Sequence, residues 1–308
     1  MESNSDNLKK FMAVALVGAI LISFASIIYL LSGANPLTGA FFRMFYALPL
    51  LGLVIWYLNK EDPRVLSTRM LAVFAGIVFS FDFVMYHSAV IWIGAGIGTL
   101  IANSQVIIVT LMSWWIFGEK PNGFILISLP IVILGFLLVS GIWDQDPYGS
   151  HPVWGVVAGI FASFFYSGFL MIYRYANKDL APATNLQFDS TAGCCFGVLM
   201  ISFLPLQSAY IEPLHFHPTW PMHGWLLLLA VVSQVVGWLM ISYSLPRLPA
   251  AHTSFAILLQ PVLTIVWGII LLSESPSIQQ AIGMTLILGS IIGVTLYGSV
   301  EDGAEGEI

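Results

Sequence analysis

Two stretches of sequence decide the fold: residues 95–121, AGIGTLIANSQVIIVTLMSWWIFGEKP, and residues 250–276, AAHTSFAILLQPVLTIVWGIILLSESP. An offset of 155 residues pairs Ala95 with Ala250, Gln105 with Gln260, Glu119 with Glu274 and Pro121 with Pro276. Each pair has the same position relative to a long apolar run, and a Glu-x-Pro sequence closes both runs. The sequence therefore predicts an internal repeat.

The composition predicts that the chain is embedded in a membrane. Of its 308 residues, 58% are hydrophobic and only 8% are charged, and the mean hydropathy is +0.90. A soluble domain carries about 25% charged residues. A bilayer core about 30 Å thick requires roughly 20 apolar residues per helix, and such runs follow one another along the chain. Continuous runs exclude a transmembrane β-barrel, whose segments alternate, so the predicted class is an all-α membrane protein.

Nine breaks in the apolar runs predict ten transmembrane helices. The first run is longer than the core of a signal peptide and lacks a clear cleavage site, so we expect it to be retained. The spans lie at 11–33, 36–58, 70–92, 96–117, 122–142, 153–175, 183–205, 223–245, 250–272 and 277–299. They divide into a first five-helix repeat at 11–142, which we call the first half, and a second at 153–299, the second half. Polar tails at 1–10 and 300–308 flank them.

Lysine and arginine predict the orientation, because they are enriched in cytoplasmic loops. With a cytoplasmic N-terminus, nine of the ten basic residues fall on that side, namely Lys9, Lys10, Lys60, Arg64, Arg69, Lys120, Arg174, Lys178 and Arg247. Shifting the helix count by one would scatter them over both faces. The charges therefore support ten spans with both termini in the cytoplasm, and the net charge of −6 provides no basic surface for nucleic acid.

An odd number of helices per half means that the second half enters the membrane from the opposite side. Pro36 at the start of span two also matches Pro182 at the start of span seven. Inverted repeats are a signature of secondary transporters, whose site lies near the membrane midplane between the repeats. The organisation of the chain therefore points to transport.

At this level of detail the chain resembles the paired EamA domains of drug/metabolite transporters. The resemblance rests on ten spans in two halves, on Gly118-Glu119-Lys120-Pro121 after span four and on Ser273-Glu274-Ser275-Pro276 after span nine. The Gln260-Pro261 step is similar to the Glu/Gln-Pro step of these domains, whereas span four has Gln105-Val106 and lacks the proline.

The resemblance implies alternating access through a central cavity lined mainly by helices one, three, four, six, eight and nine. It implies a substrate among amino acids, other small metabolites, nucleosides and toxic compounds. For a chain of this kind we expect the plasma membrane, which in a bacterium is the inner membrane.

Ionisable residues deep in the spans are the first candidates for a substrate or coupling site, because a charge at the bilayer centre costs about 2.5–3.5 kcal/mol. Arg43 lies in span two, and Asp82 and His87 lie in span three. One reading is a buried Arg43–Asp82 pair that pins the two helices. The other makes Asp82 a cavity carboxylate that binds a substrate amine or exchanges a proton. His87 titrates near neutral pH and could be a proton relay or a hydrogen-bonded wall residue.

Asp189 follows Pro182 by seven residues, as Arg43 follows Pro36, so the halves place opposite charges at equivalent positions. Asp189 could act in a gate, or its side chain could extend toward the cytoplasm.

Uncharged candidates are weaker and fall into two groups. Polar residues that share helix faces or repeat positions are Thr99, Asn103, Gln105, Thr253 and Gln260, and the two glutamines could equally join helices. Aromatic residues that could line a cavity are Tyr86, Trp92, Tyr166, Trp238 and Tyr243, although packing and interface belts explain many such residues.

Other chemistry is poorly supported by the sequence. Cys194 and Cys195 are adjacent in an apolar run, which favours packing over a disulfide. The predicted outer loops contain His151, His215, His217 and His223 together with Asp144, Asp146 and Glu212, but no spacing matches a zinc site. There is no Walker A loop. We expect no metal and no cofactor.

These patterns favour a secondary carrier that exports amino acids or similar small metabolites, driven by a proton gradient or by the substrate gradient. The expected partners are a small-molecule substrate and the lipid bilayer. The alternatives are an uptake permease for a cationic or nucleotide-like compound, a membrane enzyme built on the outer histidines, and a scaffold without transport. We expect the chain not to be an enzyme.

Overall fold

The computed structural model describes residues 2–118, 121, 123–177, 182–204, 212–217, 219–244, 247–248 and 250–297, with the backbone alone for residues 2–8, 117 and 250–255. The helices are α1 (Glu2–Ser23), α2 (Ala25–Ser32), α3 (Pro36–Leu58), α4 (Leu66–Ile93), α5 (Ala95–Ala102), α6 (Gln105–Phe117), α7 (Gly123–Val139), α8 (Pro152–Ala176), α9 (Ala183–Ser202), α10 (Met222–Leu229), α11 (Trp238–Ser244), α12 (Ala250–Leu272) and α13 (Ile278–Tyr297), with a π-helical segment at Ala230–Gly237. The described residues contain no strand, which confirms the predicted all-α class for them.

Seven stretches of the described chain are long and apolar enough to cross a membrane. They are Lys9–Ser32, Pro36–Leu58, Leu66–Ile93, Ala95–Ile116, Pro152–Ala176, Met222–Ser244 and Ile278–Tyr297. Two shorter apolar helices are Gly123–Val139 and Ala256–Leu272. The chain is therefore a multi-pass helical protein, while the count of ten crossings and the compartment of the termini stay predictions.

Loop contacts sort the ends of the helices into two groups, which define two faces. The N-terminal face carries Phe11 of α1, the α3–α4 loop, the first two turns of α9 and Arg247, since Arg247 lies over Phe11 and Arg64 reaches Asp189 in α9. The opposite face carries residues 33–35, 94, 143–151, 212–217, 219–221 and 273–277, which contact one another through hydrogen bonds such as Asn35 Nδ2 to Pro213 O (2.9 Å).

Local signals set the helix ends at the opposite face. Gly33 ends α2 in the left-handed conformation at φ 65°, which glycine adopts without strain. Asn35 then caps α3, because its side chain accepts a hydrogen bond from Thr38 N at 2.8 Å, and Pro36 occupies the first helical position, where no backbone donor is required.

The two related spans differ in the continuity of their helices. α12 stays helical through Pro261, whereas span four, which lacks the proline, breaks at Asn103-Ser104 between α5 and α6. The Asn103 side chain donates to Thr99 O at 2.8 Å, and Ser163 Oγ donates to Ile101 O (2.7 Å) and Ala102 O (3.0 Å). Side-chain donors therefore bind the carbonyls of the last turn of α5, of which Thr99 O and Ile101 O also accept from the backbone N–H groups of Asn103 and Ser104.

The α4 helix is the centre of the packing and lies against α8 and α9. Its seam with α9 requires glycine: a Cβ at Gly76 would lie 1.9 Å from Ser190 O, and one at Gly193 would lie 1.9 Å from Val73 O. The two backbones are thus in direct contact, which rigidly positions the residues that α4 contributes to the interior.

Candidate functional site

A cavity of about 70 Å³ lies inside the bundle and is lined by residues from both halves. Eight sequence-predicted candidates line it: Arg43, Asp82, Tyr86, Thr99, Asn103, Tyr166, Trp238 and Gln260. Its other lining residues are Ile22, Ala25, Phe79, Phe83 and Ala102. These residues come from the six helices that the resemblance implies and, through Arg43, from span two as well. The volume holds a few water molecules, so the cavity is contracted in this conformation.

Arg43 projects from α3 and is held by two contacts. Its Nε donates to Gln234 Oε1 at 3.1 Å, and its guanidinium carbon lies 4.5 Å from the ring centroid of Phe83. Gln234 belongs to the π-helical segment, and such segments are frequent at functional sites because they change the direction in which side chains point. The second half thus positions the cation of the first.

Asp82 is the most informative residue of the cavity. Its exposed fraction is 7%, yet it accepts no hydrogen bond from the described side chains and makes no ion pair within 4.0 Å with Arg43. The two side chains therefore do not form, in this structure, the ion pair of the first interpretation, because Arg43 is engaged by Gln234 and Phe83 instead. A buried carboxylate without a partner is costly. Asp82 consequently requires a proton, water or a cationic ligand in the cavity.

Polar and aromatic side chains complete the wall. Tyr86 and Thr99 share a hydrogen bond of 2.9 Å between their hydroxyls, and Thr99 Oγ1 lies 3.4 Å from Ser26 Oγ. On another side, Phe79 stacks on Tyr166 at 5.4 Å between ring centroids. The cavity thus offers a cation, a carboxyl, hydroxyls and apolar ring faces within one enclosed space.

His87 does not line the cavity. Its ring stacks on Tyr29 at 3.8 Å between centroids, its Nδ1 lies 3.5 Å from Pro36 O, and its Nε2 has no partner in the described residues. The structure therefore places His87 in the wall behind the cavity, between α2, α3 and α4.

Asp189 is bound by two arginines at the N-terminal face. Its carboxylate is 2.9 Å from Arg64 Nη2 and 3.2 Å from Arg69 Nη2, and Arg64 also binds Asp62 at 2.7 Å. Hydrogen bonding by Arg64 lowers the pKa of Asp62 below its usual value, against the opposing effect of burial. The cluster ties the α3–α4 loop to α9.

Four further candidates lie elsewhere. The Trp92 carbonyl accepts a hydrogen bond from His151 N (3.1 Å) at the opposite face. The backbone carbonyl of Gln105 accepts from Ser167 (3.3 Å) at the α5–α6 break. Tyr243 lies below the guanidinium of Arg247, and the side chain of Thr253 lies outside the described residues.

A second cavity, of about 920 Å³, opens on the N-terminal face between α3, α8, α9 and α11. Its lining includes Lys60, Asn177, Thr184, Trp238, Tyr243 and Arg247. Trp238 lines both cavities, so the inner cavity and this vestibule lie next to each other at this residue.

The histidines of the opposite face are structural where their contacts are given. His223 Nδ1 is 2.6 Å from Tyr46 Oη and its Nε2 is 3.3 Å from His217 O. No group of three or more potential metal ligands occurs among the residues that the structure describes. Cys194 and Cys195 are free and buried in α9.

Sequence reasoning missed the partners of the charged candidates. No sequence pattern indicates that Gln234 binds Arg43, because this contact depends on the π-helical segment. Arg64 lies in a loop, as predicted, but no local pattern indicates that its side chain is fully buried against Asp189. Phe79 and Phe83 recur at i, i+4 with Asp82 and Tyr86 close by, and this spacing could have indicated one shared face of α4.

The chain is similar to known proteins by family, by sequence and by structure. The model of the EamA-like transporter family matches residues 9–141 and 153–296. An uncharacterized transporter of Bacillus subtilis (strain 168), YcbK, is 23% identical over 171 residues, which cover 55% of this chain and 53% of that protein. The chain thus aligns with about half the length of that curated relative. One crystal structure shares the fold at a TM-score of 0.59 and 15% identity, covering 94% of this chain and 98% of that one.

Proposed function

The chain belongs to the EamA-like transporter family, within the drug/metabolite transporter superfamily, and from that premise we propose that it is a secondary carrier that exports a small zwitterionic metabolite such as an amino acid. We place it in the plasma membrane, which in a bacterium is the inner membrane. The substrate would bind in the inner cavity and reach either face by alternating access between the two halves.

The observation that carries the proposal is a cavity lined by both Arg43 and Asp82, with no ion pair between them. A zwitterion has a carboxylate and an ammonium group a few ångströms apart. Arginine binds carboxylates well because its donors form a planar fork, while the unpartnered Asp82 would accept from the ammonium group. Tyr166, Phe79 and Trp238 would contact the side chain of the substrate.

The vestibule supports the direction of transport. It opens on the face that the distribution of lysine and arginine predicts to be cytoplasmic, and Lys60 and Arg247 line it. These cations would attract the carboxylate of a cytoplasmic substrate. A carrier that rests open to the cytoplasm is poised to load a metabolite for export.

Asp82 would also couple transport to protons. In the empty carrier a proton would neutralise the carboxyl, and in the loaded carrier the substrate ammonium would replace it. Proton and substrate would therefore compete for one group, which is the behaviour of an exporter that exchanges its substrate for an external proton.

A ligand screen on the purified protein tests the proposal, since a ligand that binds the folded state raises the unfolding temperature. The screen compares amino acids with their amides and with the corresponding decarboxylated amines. We expect a shift with intact zwitterions, none with either derivative, and no shift in Asp82→Asn. Asp189→Asn is the matched control, because it removes a buried carboxylate outside the cavity and should retain the ligand shift.

The outcomes separate the ligand classes. A shift with the amines alone would favour the alternative of a cationic substrate, and a shift retained in Asp82→Asn would remove the carboxyl from the site. Counterflow in proteoliposomes with external pH varied then establishes direction and coupling.

A further inference from the structure

The opposite face is joined across the two halves by the carboxylate of Glu274. This residue follows α12, in the second half, and accepts hydrogen bonds from the backbone N–H groups of Ala95 and Gly96 at the start of α5, in the first half. The bond from Gly96 N is 3.0 Å long. The N-terminus of a helix favours negative charge, so the hairpin of α4 and α5 is held against the loop at 273–277.

Three glycines make room for this carboxylate. A Cβ at Gly268 would lie 2.4 Å from Glu274 Oε2, one at Gly94 would lie 2.8 Å from Oε1, and one at Gly96 would lie 3.2 Å from Oε2. Glu274 is 5% exposed, and its own N–H donates to Gly268 O at 3.1 Å. We call Gly94, Gly96 and Gly268 the glycine cradle.

The repeat predicts a counterpart at the other face, but without the cradle. The offset of 155 residues relates Glu274 to Glu119, and Ala95 to Ala250. The same offset relates the cradle glycines to Pro249, Ala251 and Ser113. Each of these has a Cβ where the cradle has none, so the sequence provides no matching set of glycines for Glu119.

We propose that Glu274 is a latch that keeps the opposite face closed, and that the glycine cradle makes this closure firmer than the corresponding closure of the N-terminal face. The inference rests on the proposed function, since a latch at one face has a purpose only in a carrier that opens its faces alternately. It agrees with the position of the 920 Å³ vestibule on the N-terminal face.

The latch can be released because its partners gain water when they separate. Burial raises the pKa of Glu274 above its usual value, although the N–H groups of Gly96 and Ala95 oppose this effect. Opening would hydrate both the carboxylate and the two N–H groups.

Two kinds of variant test the latch from different directions. Glu274→Ala removes the carboxylate and leaves the N–H groups of Ala95 and Gly96 buried without an acceptor, which costs about 1–3 kcal/mol each. Gly268→Ala keeps the carboxylate but puts a methyl group where the carboxylate lies. Asp146→Asn, which changes a carboxylate in a loop of the same face, and Gly289→Ala, whose Cβ would have nothing within 4 Å, are the matched controls.

The measurement is the distance between spin labels on cysteines at Ile91 and Ile278, both exposed near the latch, in the full chain without ligand. The native Cys194 and Cys195 are buried. We expect one short distance in the wild type and both controls. In Glu274→Ala and Gly268→Ala a longer distance should appear, with the ratio of long to short raised about tenfold or more.

Wild-type distributions in both latch variants would overturn the inference. Should either variant fail to fold, the milder Gly96→Ala takes its place and is judged by the same criterion. Because the distances are measured without substrate, the result is independent of ligand binding at Asp82. Longer distances in the latch variants together with no ligand in the screen would contradict the proposed function alone. Unchanged distances together with a bound ligand would contradict the latch alone.

Discussion

Replacing Gly76 by alanine should destabilise the protein by forcing α4 away from α9. The new Cβ would lie 1.9 Å from Ser190 O and 2.8 Å from Cys194 N, whereas ordinary contact begins at 3.4 Å. The helices would have to separate by about 1.5 Å at this point. Both groups belong to the backbone, so no side-chain rotation relieves the clash, and overpacking of this kind costs about 1–3 kcal/mol or more.

Gly168→Ala in α8 is the matched control for this prediction. Its Cβ would meet only Val78 Cγ1 at 3.6 Å, an ordinary contact, and alanine is favoured over glycine within a helix by about 0.5–1 kcal/mol. The two variants should therefore differ by about 2–4 kcal/mol, with opposite signs. Thermal unfolding in detergent should show Gly76→Ala several degrees below the wild type and Gly168→Ala level with it or above.

The result that would refute this reasoning is an unfolding temperature of Gly76→Ala equal to that of Gly168→Ala. It would mean that α4 and α9 are farther apart than the structure places them. Since α4 also carries Asp82 and Tyr86, a displaced but folded Gly76→Ala protein should in addition lose ligand binding.

Three further predictions concern Trp238, the contact between Asp62 and Arg64, and the break between α5 and α6. Trp238→Ala should join the inner cavity to the vestibule, so that thermal-shift measurements detect ligands larger than those the wild type accepts; an unchanged ligand range would contradict this. The folded-state pKa of Asp62 is lowered by Arg64, so its contribution to stability is present above the unfolded value of about 3.9 and is lost as pH falls through the lower folded pKa. The unfolding temperatures of wild type and Asp62→Asn should therefore differ near neutral pH and converge only in strong acid, and a difference that vanished near pH 6 would disprove the assignment. Ser163→Ala should lower the free energy of unfolding by about 1–3 kcal/mol, because Ala102 O at the α5–α6 break loses the hydroxyl donor that it shares with Ile101 O; equal denaturation curves would show that water replaces it.

Much of the fold was predictable because apolar length and breaks are properties of the local sequence. The helices begin and end within a few residues of the predicted spans at most positions, and Asn35-Pro36 and Gly33 act locally as cap and stop signals. Thr99 and Asn103 were placed on one face by their spacing, and both line the inner cavity.

The remaining features depend on contacts between distant segments. Arg43 and Asp82 have suitable depths for a pair, but Gln234 occupies the guanidinium from a π-helical segment that no local pattern announces. The partners of Asp189 come from a loop whose course is set by packing. The break at Asn103 is bound by Ser163 from a separate helix, so the absence of a proline from span four does not indicate it.

The central claim is that the cavity lined by Asp82 and Arg43 carries the substrate, and counterflow of a labelled zwitterion identified by the ligand screen tests it most directly. Proteoliposomes containing wild type, Asp82→Asn or Asp146→Asn are compared after equal reconstitution. The account predicts saturable counterflow in the wild type and in Asp146→Asn, whose carboxylate lies in a loop of the opposite face, and its loss in Asp82→Asn. Counterflow in Asp82→Asn equal to that of the wild type would contradict the account.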